Sequence, residues 1–162
     1  MKVILPGSYD PITIGHLEII KRAASEYGEV FAVAFINPEK KYAFSPEEKL
    51  DMLRLATEGM DGVTVDFSSG LVVDYMREKG IELIVKGYRT DADLPWEMKQ
   101  AEWNEAHGGY KTRLIKCAGG FENISSTAAR EAMASGDREA LSSLLPTRVA
   151  EYIEALGKIK NS

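Results

Sequence analysis

The sequence predicts an α/β fold in which one parallel sheet of five strands is doubly wound by helices, with further helices at the C-terminal end. Three observations carry this. Short apolar runs rich in β-branched residues alternate with amphipathic helical patterns along the chain. The 162 residues suit one domain covering 1–162, without repeat, low-complexity tract or linker. Two polar, glycine-containing stretches follow the first and fourth apolar runs, at the carboxyl ends of the strands where such sheets bind ligands. The architecture is Rossmann-like. Strand order 3-2-1-4-5 is expected, with right-handed crossovers placing helices on both faces and the reversal of order between strands one and four.

The elements follow in order. Lys2–Leu5 reads as the first buried strand, and the helix after it runs from about His16 to Tyr27, stopped by Gly28. Val30–Ile36 is a continuous apolar run and reads as the second strand, ended by Asn37-Pro38. Ser45, Pro46 and Glu48 mark the next helix start as N-cap, first helical residue and capping-box partner. Val63–Phe67 is a short strand, Leu71–Lys79 a helix with Gly80 as its cap, and Leu83–Val85 the fourth strand. Asp91–His107 reads as a loop entering a helix, with Pro95 in its first turn, and Thr112–Cys117 as the fifth strand. Ile124–Thr127 leads into a helix ended by Gly136, and Asp137–Lys160 reads as two short helices broken at Pro146.

The net charge of −5 argues against nonspecific binding to nucleic acid or to an acidic membrane. A phosphate site in such a chain has to be a local concentration of positive charge. The single cysteine, Cys117, excludes an intramolecular disulfide and a cysteine metal cluster, and its apolar context reads as core. No apolar run approaches the length of a membrane span, and the N-terminus lacks a secretory pattern, so a cytoplasmic location is expected.

Chemistry concentrates in Pro6–His16, which links the first strand to the first helix. It holds neither the G-x-x-x-x-G-K-[ST] phosphate loop nor the G-x-G-x-x-G dinucleotide fingerprint. It does place His16 near a helix N-terminus, where free N–H groups and the helix dipole favour an anion. Its Thr13-Ile14-Gly15-His16 segment is a T-x-G-H tetrad. With the longer G-S-Y-D-P-I-T-x-G-H reading and the I-S-S-T-x-x-R block at Ile124–Arg130, it resembles the nucleotidylyltransferases, and most nearly the phosphopantetheine adenylyltransferase family.

That resemblance implies AMP transfer from ATP to 4′-phosphopantetheine, with pyrophosphate released. It implies catalytic roles for His16, Lys40 and Arg89. ATP contacts fall on Ser8, Tyr9, His16, Gly87, Tyr88, Arg89, Glu97, Asn123, Ile124, Ser125, Ser126 and Thr127. Acceptor contacts fall on Ser8, Lys40, Val72 and Lys86. In the resembling family the position of Lys86 is normally arginine, so a point charge replaces a planar fork here. Asn104 also matches the family, whereas Lys99 stands where an uncharged residue is usual. No protein metal site is implied; Mg²⁺ would arrive with ATP. A homohexamer is implied as well.

The residues themselves leave alternatives open. Asp10-Pro11 is ordinary turn chemistry, Ser125 to Thr127 an ordinary capping cluster, Glu97 an ordinary solvated helix charge, and Val72 ordinary core. Trp96, Met98 and Trp103 read as helix packing. The chosen chemistry suits the residue types: an anionic phosphate attacks the α-phosphate without a strong general base, so catalysis rests on cations, hydroxyls and helix N-termini. Two rivals remain at this level: another adenylyltransferase, such as one acting on nicotinamide mononucleotide, and a non-catalytic nucleotide-binding α/β module.

Overall fold

A computed structural model describes residues 1–161. Five strands, β1 (Lys2–Gly7), β2 (Glu29–Phe35), β3 (Val63–Ser68), β4 (Leu83–Tyr88) and β5 (Lys111–Lys116), form one sheet in the order β3-β2-β1-β4-β5. Every pairing is parallel. The helices between them are α1 (Ile14–Tyr27), α2 (Pro46–Thr57), α3 (Val72–Lys79) and α4 (Leu94–Gly108). After β5 come α5 (Ser126–Ser135), α6 (Arg138–Leu144) and α7 (Thr147–Ala155). The expected architecture and strand order are both observed.

Side chains on β1 alternate between the two faces of the sheet, as a period of two dictates. Val3 and Leu5 join the larger core under α1, α2, α5, α6 and α7. Ile4 joins the smaller one with Val33, Tyr75, Met76, Ile81 and Ile84, over which α3 packs. Full burial of each of these aliphatic side chains stabilises the fold by about 1.5–3 kcal/mol. The two layers hold the sheet rigid beneath the loops at its carboxyl end.

Several boundaries move outward from the expected ones, and the site depends on two of them. Helix α1 begins at Ile14, two residues before His16, because Thr13 caps it and His16 is its third residue. Strand β4 continues through Lys86, Gly87 and Tyr88, which keep their register with Leu114, Ile115 and Lys116 of β5. Apolar character ends at Val85, but backbone pairing does not need it. Cys117 lies one residue past β5 and is only partly buried, so the expectation of a core cysteine is corrected.

Candidate active site

The sheet opens where its order reverses. β1 pairs with β4 only at Val3–Leu83 and Ile4–Ile84. Beyond those rungs β1 stays with β2 as far as Gly7, and β4 stays with β5 as far as Tyr88. The two central strands therefore part company, and a cavity of 540 Å³ lies over the gap. Leu5, Pro6 and Gly7 line one side of it and Val85, Lys86 and Gly87 the other. Crevices at such switch points are where open α/β sheets bind ligands.

His16 stands at the α1 end of this cavity, and the tetrad fixes its chemistry. The Thr13 hydroxyl accepts from the His16 backbone N–H at 3.4 Å, and the Thr13 backbone N–H donates to His16 Nδ1 at 3.0 Å. This is a capping box with histidine where glutamate or glutamine is usual. A backbone N–H can only donate, so Nδ1 is an acceptor and the ring proton sits on Nε2. Burial, reinforced by the positive charge of Arg89, pushes the imidazole down from 6.5 to about 4. The residue is thus a neutral N–H donor at pH 7, suited to a phosphate oxygen gaining charge.

The turn before it is tightly built. Tyr9 has a left-handed backbone, with φ of 46°, uncommon for a residue with a side chain. Its ring is buried, 5.0 Å from the His16 ring, and its hydroxyl donates to the Leu5 carbonyl at 2.8 Å. The Tyr9 hydroxyl is thus engaged within the protein, while the residue still lines the cavity beside His16. Ser8 is exposed to the cavity. Gly87 also lines it, and a Cβ there would lie 2.7 Å from Ile19 of α1, so β4 passes hard against the helix that carries His16.

Cations gather around the opening. Lys40, from the loop after β2, and Arg89, just past β4, line the cavity, and neither has a carboxylate partner among the described residues. Lys86 differs: its ammonium is paired with the Glu97 carboxylate of α4 at 2.8 Å. The expectations gave Lys86 to the acceptor and Glu97 to ATP, and the structure joins the two in one ion pair. Tyr88 completes this wall.

The opposite wall is the N-terminus of α5, with Ile124, Ser125, Ser126 and Thr127 lining the cavity. Their hydroxyls are partly engaged within the protein. Ser125 accepts from the Ala128 N–H at 3.0 Å as the helix cap. Ser126 donates to the Pro11 carbonyl at 2.7 Å, and Thr127 accepts from Arg130 at 3.2 Å. What this end offers an anion is its unpaired first-turn N–H groups together with the Thr127 hydroxyl proton. Asn123 is exposed and does not line the cavity.

A second cavity, of 690 Å³, adjoins the first along Pro6, Gly7, Ser8, Lys86, Trp96 and Gln100. Its further walls include Phe35, Leu71, Val72, Trp103 and Asn104, so Val72 both lines this groove and packs against the smaller core. The reading of Trp96, Met98 and Trp103 as helix packing is corrected. α4 has no buried residue, and these side chains are 63%, 49% and 47% exposed. Trp96, Gln100 and Trp103 are four and three residues apart, on one helical face, and that spacing was the available signal for them. Lys99 and Cys117 are further lining residues that the sequence did not assign.

A switch-point crevice ringed by cations, with a neutral histidine and a second helix N-terminus, defines a nucleotidyltransferase site. In agreement, a family model described as cytidylyltransferase-like matches residues 4–132, and the chain belongs to that family. It is similar to the phosphopantetheine adenylyltransferase of Clostridium novyi (strain NT), at 35% identity over 159 residues, covering 97% of this chain and 98% of that relative.

Proposed function

We propose that this protein transfers AMP from ATP to 4′-phosphopantetheine, forming dephospho-coenzyme A and pyrophosphate. The observation that carries the reading is the pair of adjoining cavities sharing the Ser8–Lys86 rim. The first, with His16, Arg89 and the α5 N-terminus, takes the triphosphate. The second, walled by Leu71, Val72, Trp96 and Trp103, takes an elongated acceptor with apolar stretches. Lys86 stands on the shared rim, where the acceptor phosphate has to lie to reach the α-phosphate of ATP.

The reaction is one in-line displacement. An acceptor phosphate oxygen forms a bond to the α-phosphorus, and the bond from that phosphorus to the bridging oxygen of pyrophosphate breaks. Both attacking and leaving groups are already anionic, so no base is required. His16 Nε2–H donates to the α-phosphate oxygens, and Lys40 and Arg89 offset the charge that spreads over them. Preorganisation matters most: the capping box holds the imidazole neutral and correctly oriented before substrate arrives.

Among the described residues, no three His, Cys, Asp or Glu side chains gather to hold a metal. In this reading Mg²⁺ would arrive as an ion carried on the nucleotide phosphates, whose charge it would partly neutralise. Among the described residues no helix is long and apolar enough to cross a membrane. A homohexamer and a cytoplasmic location belong to the same reading. Support for assembly comes from the family resemblance and from α4, which buries no residue within one copy.

The test is an acceptor comparison. With ATP and equal concentrations of 4′-phosphopantetheine and nicotinamide mononucleotide, mass spectrometry should find dephospho-coenzyme A as the dominant product. Dominant formation of the dinucleotide would transfer the assignment to the rival adenylyltransferase.

A further inference from the structure

Lys49, on α2, is an unusual residue to find in this core. Its side chain is 0% exposed, and among the described residues its ammonium makes no hydrogen bond. Its partners among those residues are the Asp10 carboxylate at 4.0 Å and the face of the Tyr42 ring at 3.5 Å. Burying an ammonium is costly, and replacing a buried ion pair as a whole by well-packed apolar residues is often neutral or stabilising. Stability alone does not account for a charge here.

What Asp10 does supplies the reason. Its carboxylate accepts from the backbone N–H groups of Ala43 and Phe44, at 2.9 and 3.0 Å. Those two residues end the loop that carries Lys40. The same loop is closed from within by the Asn37 N–H, which donates to the Tyr42 hydroxyl at 2.9 Å, and by the Lys40 N–H, which donates to the Asn37 carbonyl at 3.0 Å. Lys49 touches both fixtures, the carboxylate and the ring. Arg130 of α5 donates to the Asp10 carbonyl at 2.8 Å and lies 3.9 Å from its carboxylate, so the α5 wall is tied to the same point. From the outer side Lys158 donates to the Ala43 carbonyl at 2.6 Å.

We propose that Lys49 is a positioning residue that acts through Asp10 and Tyr42 to fix the Asn37–Phe44 loop, and so the station of Lys40 over the cavity. It touches neither substrate. The charge orients the Asp10 carboxylate between the lysine and the two loop N–H groups, and the ring of Tyr42 is held over the ammonium. The inference rests on Lys40 taking part in AMP transfer, as read above, but its physical core is independent of the substrate's identity.

Lys49→Met tests it, alone and combined with Lys40→Ala. The change leaves the buried Asp10 carboxylate with its two loop N–H groups and Arg130, so the melting temperature should fall while the chain stays folded. In the otherwise natural chain kcat for pyrophosphate release should fall roughly ten- to hundredfold, the cost of misplacing a group by about an ångström. In the Lys40→Ala background the same change should cost less than about threefold, because the group it positions is gone. Hydrogen exchange should quicken at the Ala43 and Phe44 amides in the Lys49→Met protein. Tyr42→Leu, at a half-buried loop position, should repeat the pattern and stands in if Lys49→Met does not fold. Equal losses in the two backgrounds, or unchanged kcat, would overturn the proposal. Unchanged exchange at the two amides would do so as well, and that readout decides it even if the acceptor proves to be a different one. Failure of the natural chain to use 4′-phosphopantetheine would count against the functional reading alone.

Discussion

His16 shows how much a single side chain is governed by its local frame. With the imidazole lowered to about 4 in the ligand-free protein, kcat/KM should show no inflection from it between about pH 6 and 8. Stability carries the complementary signature. Between 6.5 and about 4 the unfolded chain binds a proton that the folded chain refuses, so acid should destabilise the protein progressively over that window. Chemical denaturation at a series of pH values checks this; a His16→Asn variant should show a shallower slope there. At Lys86 the ion pair with Glu97 makes the pocket competitive, because an acceptor phosphate has to displace a carboxylate already at 2.8 Å. Lys86→Ala should raise the KM for the acceptor roughly ten- to hundredfold, with a smaller change for ATP. Glu97→Gln should lower that KM in steady-state assays by freeing the ammonium. A Lys86→Ala enzyme with an unchanged acceptor KM would remove Lys86 from the site.

Among the elements, the N-terminus of α5 has divided its tasks among three neighbouring hydroxyls. Ser125 is the cap, so Ser125→Ala should cost about 1 kcal/mol in denaturant unfolding. Ser126 ties the helix to the Pro6–His16 turn through Pro11, so Ser126→Ala should loosen the site without removing a phosphate donor. Its effect should appear in kcat more than in the KM for ATP. Thr127→Ala, which removes the free hydroxyl proton, should show the opposite balance. The start of α5 was legible in the sequence because Ile124–Thr127 carries its capping chemistry locally. The wall made by α4 was not, because its indoles look like core residues until the neighbouring elements are known to leave that face uncovered. The end of β4 was equally hidden: Lys86 to Tyr88 pair with β5 through backbone groups, which side-chain pattern does not report.

At the scale of the whole molecule, alternation placed both ligand-bearing turns at strand ends, and the strand order expected from the fold type is the one observed. The tetrad at Thr13–His16 was visible because its capping box closes within four residues. Contacts between distant segments were not visible. Asp10 reaches residues more than thirty positions away at Ala43 and Phe44, and Lys49 announces its burial by nothing in its own neighbourhood. The turn residue Asp10 thereby joins the Lys40 loop, α2 and α5 around one cavity, and that convergence is what the proposed transfer needs. Pyrophosphate release from ATP, measured with and without 4′-phosphopantetheine on the natural chain and on His16→Ala, tests this most directly. Release should depend on the acceptor, and kcat should fall by roughly 10²–10³ in the variant with a smaller change in KM. No acceptor-dependent release, or near-natural kcat without the imidazole, would contradict it.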